Sequence, residues 1–128
     1  MKKILFLLLL SAQVLARPGF WQGAYAAGRA IPIKGQCFVG QAQFNPQTDL
    51  RDCRQIRLRL NLTSQRQARF AIYVSLLDSQ GQLLAAEGRE EFAFARPPGW
   101  KFDHEIDLAI PDRSQAARYQ ITLIEEYP

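Results

Sequence analysis

His104 is the single histidine of the chain, and it stands in a row of carboxylates, Asp103, Glu105 and Asp107. An imidazole titrating near neutrality is the usual general base. To act as one, it needs a nucleophile at one ring nitrogen and an orienting acid at the other. The sequence names neither. His104 shares the apolar parity of Phe102, Ile106 and Leu108, whereas Asp103 and Glu105 lie on the opposite parity. It is expected to be a partly buried, hydrogen-bonded structural residue. The three carboxylates suggest a hard cation such as Ca²⁺, but along one strand they spread by roughly 7 Å per two residues. A single ion would therefore need ligands from elsewhere in the fold. Glycoside hydrolysis would need two carboxyls facing across a cleft. The row is expected to be solvated, or paired with Arg57 and Arg59. No catalytic, metal-binding or cofactor-binding set emerges, and the chain is read as a non-enzyme without a cofactor.

Cys37 and Cys53 are the only cysteines. They lack the spacing of a redox pair and have no histidine nearby to complete a zinc site. In an oxidising compartment they are expected to form a disulfide on the outer face of the domain, closing a loop of about 15 residues that the chain-entropy view values at ~3 kcal/mol.

Charge is divided unequally along the chain. From Arg17 to Ser75 there are nine basic residues against Asp49 and Asp52; from Leu76 to the end, ten acidic residues outnumber five basic ones. Such halves either pair across a sheet, or present a two-signed surface that orients a partner or stacks subunits. Arg57, Arg59, Arg66 and Arg69 fall in the densest basic stretch and are candidates for an acidic protein surface. Nucleic acid is disfavoured, because aromatic platforms are scarce among these arginines. Four large aromatics lie in glycine-rich or loop contexts: Phe20, Trp21 and Tyr25 near the start, and Trp100 after Arg96-Pro97-Pro98-Gly99. They either pack over the end of the domain or anchor a partner, and they complete the candidate binding set.

The elements that would carry these side chains are strands. Ile56, Leu58, Leu60 and Leu62 alternate with polar neighbours, as do Phe70, Ile72, Val74 and Leu76. Phe102, Ile106, Leu108 and Ile110 do the same, followed by Tyr119, Ile121 and Leu123. Asp78-Ser79-Gln80-Gly81 and the adjacent prolines at 97 and 98 punctuate the runs. Six or seven short antiparallel strands predict an all-β, immunoglobulin-like sandwich, with a small barrel as the alternative. The domain is placed at 34–128, and residues 17–33, without a period, read as an irregular aromatic arm.

Residues 1–16 read as a signal peptide. Lys2 and Lys3 precede an apolar run from Ile4 to Leu10, and Val14-Leu15-Ala16 suits signal peptidase. The run is too short for a membrane span, which needs about 20 apolar residues. A competing cut falls after Ala26 or Ala27. Cleavage after Ala16 leaves 112 of the 128 residues, enough for one core. These features predict a periplasmic or secreted protein-binding domain, either an inhibitor or immunity protein or an accessory subunit of an envelope or surface assembly. Oligomerisation remains open. A small carbohydrate- or calcium-binding module is the alternative.

Overall fold

Extended backbone dominates the computed structural model, which describes residues 14–15, 18–47, 53–111 and 113–127. The strands, in chain order, are β1 (Val14–Leu15), β2 (Gly19–Ala24), β3 (Ala30–Lys34), β4 (Phe38–Pro46), β5 (Cys53–Ser64), β6 (Ala68–Leu77), β7 (Leu83–Arg96), β8 (Lys101–Pro111) and β9 (Arg118–Tyr127). No helix occurs among the described residues. The strands form two antiparallel sheets. The first runs β9-β6-β7, with β2 and the two-residue β1 both lying along the far side of β9. The second runs β3-β4-β5-β8. The chain is thus an antiparallel β-sandwich, and among the described residues no pairing closes it into a barrel.

The alternating runs place their apolar sets inward. Ile56, Leu58, Leu60 and Leu62 of β5 are buried, as are Phe70, Ile72, Val74 and Leu76 of β6. These rows meet Phe38 and Phe44 of β4, Phe102 and Leu108 of β8, and Ile121 and Leu123 of β9 in one core. Burial of that apolar surface drives the two sheets together. Phe70 lies at the centre of an aromatic group, tilted 4.6 Å from Phe38 and edge-on to Phe102 at 5.1 Å.

Three expectations change. The segment 17–33 is not irregular: it contains β2 and most of β3, each a full member of a sheet. Ile31 and Ile33 alternate around Pro32 and point into the core. The expected Cys37–Cys53 disulfide is also absent, and both thiols are free. Cys37 lies beside Gln65, whose backbone N–H donates to its carbonyl, at the Ser64 end of β5. Cys53 begins that same strand and pairs with Pro111. Eleven residue steps of extended chain separate the two ends, roughly 35 Å, whereas a disulfide brings Cα atoms to within about 7 Å. Nor is Cys37 on the outer face, since it is fully buried. Finally, His104 has the inward parity expected of it, opposite Leu60, yet it is exposed. Its ring lies 4.3 Å from that of Phe102, at the open margin of β8.

Of the leader expected over 1–16, residues 1–13 and 16 lie outside the described residues. Val14 and Leu15 pair with Tyr127 and Glu126.

Candidate functional site

Sheet register decides what the arginines do. On the outer face of the second sheet, Arg57 faces Asp107 and Arg59 faces Glu105 across β5 and β8. Arg57 Nε lies 2.8 Å from Asp107 Oδ1 and 3.3 Å from Glu105 Oε2, while Arg59 Nε lies 3.7 Å from Asp103 Oδ1. The hydrogen bond to Asp107 and its charge hold the Arg57 guanidinium even more firmly protonated than usual. The carboxylate row is therefore matched by arginines of the neighbouring strand, as one of the two expectations for it had it. In the first sheet, Arg69 Nε meets Glu126 Oε1 at 2.6 Å, and Arg69 also donates to the carbonyl of Phe92. Arg66 lies 4.0 Å over the ring of Tyr127. Three arginines of the basic half, Arg57, Arg59 and Arg69, thus meet carboxylates of the acidic half across neighbouring strands.

The aromatics divide in the same way. Trp100 packs against Phe102 and Phe70, with the guanidinium of Arg96 4.6 Å over its ring. Tyr25 stands edge-on to Phe44 at 5.6 Å, and Trp21 packs on the core from β2. Burial pushes the Tyr25 hydroxyl upward from its ordinary pKa, partly opposed by the charge of Arg54. Phe20 differs: it points outward from β2 and is 52% exposed. It shares a cross-strand row with Thr122 and Tyr73. The ring of Tyr73 lies over Gly88, and its hydroxyl donates to Glu90. The eight candidate residues therefore do not converge. Arg57 and Arg59 lie on one face, Arg66, Arg69 and Trp100 gather towards one end, and Phe20, Trp21 and Tyr25 belong to or follow β2.

The strand edges separate what the individual side chains do not. An open edge offers unpaired N–H and C=O groups to any extended chain, and natural sheets blunt theirs with charge, proline or bulges. Edge strand β3 carries Pro32 at its middle, which has no N–H to offer. Edge strand β8 carries Asp103, Glu105 and Asp107. Edge strand β7 places Glu87, Arg89 and Glu91 opposite core residues Val74, Ile72 and Phe70, and its register breaks between Glu91 and Arg96. That break leaves Phe94 on a bulged stretch rather than in a continuous ladder. Strand β2, Gly-Phe-Trp-Gln-Gly-Ala, has no charge and no proline, and pairs with β9 in unbroken register. Among the described residues no strand lies beyond it. Among the described edge strands longer than two residues, β2 is the one without such protection.

The edge is firmly seated. The N–H of Tyr25 donates to the carbonyl of Ala117, and that of Gly28 to Phe44. Gly28 adopts φ of 77°, a left-handed turn that suits glycine and returns the chain into β3. Between β2 and β3 this leaves a crevice of about 260 Å³, bordered by Gly23, Arg29, Ile31, Pro32 and Tyr119.

One buried group had no place in the expectations. Glu125 continues the inward row of Ile121 and Leu123 and is 1% exposed. Its carboxylate accepts backbone N–H bonds from Gln36 at 2.8 Å, Cys37 at 2.6 Å and Phe38 at 2.9 Å. It thereby ties the β3–β4 turn of one sheet to the last strand of the other. Gly35 is required there, because a Cβ would fall 2.7 Å from Oε1. An acid on the buried parity was the available signal. Burial, then the charge of Glu125, pushes the Cys37 thiol up to about 11, so it stays protonated and unreactive.

No protein-family model matches this chain, and no curated protein matches its sequence.

Proposed function

We propose that this protein is exported and acts as a non-enzymatic protein-binding domain, docking a partner through the free edge of β2 with Phe20 as the exposed anchor. The observation that carries this reading is the missing protection of β2, beside three other edges that each bear a blocking feature. Strand addition draws its affinity from main-chain hydrogen bonds, and an aromatic beside the edge adds contact area. The basic leader and apolar run of residues 1–16 support export. Cleavage after Ala16 would leave β2 whole. Cleavage after Ala26 would remove it, together with Trp21 from the core.

Affinity capture from envelope extract tests the reading with three forms of the mature chain: wild type, Gln22→Lys and Arg57→Ala/Arg59→Ala. Gln22 is exposed on β2, so a lysine there blunts the edge without disturbing the core. One partner is expected with the wild type and the double arginine variant, and lost with Gln22→Lys. Equal capture by Gln22→Lys overturns the reading. A concentration-dependent dimer abolished by Gln22→Lys would assign the edge to a second copy of the chain instead.

A further inference from the structure

An incoming strand has alternate side chains on the two faces of the sheet it extends. Beside β2, those on the side of Phe20 and Gln22 face solvent. Those on the side of Trp21 and Gly23 face the seam where β2 approaches β3. At Gly23 that seam is the crevice of about 260 Å³. Its chemistry is one-sided. Ile31 and Pro32 form an apolar wall, and Tyr119 lies against Gly23, its hydroxyl 3.1 Å from where a Cβ would stand. Arg29 borders the opening and is exposed. Among the described residues Arg29 has no carboxylate partner, and the Tyr119 hydroxyl has no hydrogen bond. This contrasts with Arg57, Arg59, Arg69 and Arg96, each of which meets an aspartate or glutamate. A guanidinium donates and a phenol hydroxyl can donate, and among protein side chains a carboxylate accepts from both most strongly, because its charge complements the guanidinium.

We propose that this crevice is the specificity pocket of the β2 edge, and that it receives an aspartate or glutamate side chain from an extended segment of the partner. The proposal rests on the strand-addition reading. It adds what that reading leaves open, namely which residue the partner carries and where it sits. Main-chain pairing accepts any extended sequence, and a pocket for alternate side chains makes the choice. Gly23 contributes by having no side chain, which keeps the entrance beside Tyr119 clear.

Selection from a random linear-peptide phage library on the immobilised mature protein tests both layers. On the wild type, the enriched peptides are expected to share an acidic residue at one position within a β-prone stretch. A synthetic enriched peptide should lose affinity about tenfold when its acid is replaced by the amide, or when the protein carries Arg29→Gln. Tyr119→Phe, which removes only the hydroxyl, should cost about threefold. Unchanged melting temperatures confirm that both variants fold. Gln22→Lys should abolish binding of the whole peptide set. Peptides without a shared acid, or with an acid indifferent to Arg29→Gln, overturn the pocket while leaving the edge intact. Peptides that bind Gln22→Lys as well as wild type overturn the edge itself, and no enrichment at all rejects both.

Discussion

The outer face of β5 and β8 and the edge of β2 are opposites in composition and in what they leave available. The first is dense in charge, and it is the surface a reading of sequence composition selects for binding. Its arginines and carboxylates nevertheless meet across neighbouring strands, at 2.8 to 3.7 Å. The second carries no charge at all, but has an exposed phenylalanine and a ladder edge that no described strand covers. Charge density marks where groups are numerous, not where they are unspent. Open backbone groups, an uncovered ring and the guanidinium of Arg29, which has no carboxylate partner among the described residues, are the better guide to what a partner would find.

The two regions belong to different sheets, and Glu125 joins those sheets. Glu125→Ala is expected to have the largest effect on stability. It leaves the N–H groups of Gln36, Cys37 and Phe38 without their acceptor, at a cost of about 3 kcal/mol in urea denaturation. A loss well under 1 kcal/mol would mean that the sheets hold together by apolar packing alone. Trp21→Ala should cost about 2 kcal/mol, because it removes half-buried contact between β2 and the core. Partner capture should fall with it, as the edge loses its seat.

Cys37 sharpens the comparison from the buried side. Its thiol pKa is raised in the folded state, so its contribution to stability is complete below the ordinary thiol range. That contribution is lost as pH rises through about 11. The alkaline limb of a pH–stability profile should therefore flatten in Cys37→Ala relative to wild type. In native protein Cys53 should react with a thiol reagent and Cys37 should not. Reductant should leave the melting temperature unchanged, whereas a lower melting temperature on reduction would restore the bridge. The smallest effect is expected at the charged face. Arg57→Ala should move the melting temperature by no more than about 2 °C, and added salt should shrink even that.

How much of this was legible in the sequence depends on which residue one considers. The strict alternation around Ile56–Leu62 and Phe70–Leu76 specifies both strand and face, because a one-residue slip would expose every apolar side chain. β2 escaped notice because glycines fill two of its three inward positions, leaving Trp21 as the only apolar signal on that side. β3 was masked by Pro32, which reads as a break but sits harmlessly on an edge. At His104 the parity was legible but the exposure was not: parity states which face a residue occupies, while the opposite sheet decides whether anything covers it. The cysteines misled because the short interval between them runs one way along the whole of β4, which leaves them at opposite ends of the β4–β5 hairpin. The open edge of β2 was invisible until the pairing order was known. The proposed export leader and its competing cleavage points bear directly on that edge, since only a cut before Gly19 preserves it. Intact mass of the exported protein should match a chain beginning at Arg17.

Amide hydrogen exchange of the mature protein, free and bound to its captured partner or to a selected peptide, tests the edge most directly. The account predicts new protection along Gly19–Ala24, strongest around Gln22 and Gly23, with exchange unchanged across Arg57 and Arg59. Protection confined to β5 and β8, with β2 exchanging as in the free protein, would contradict it.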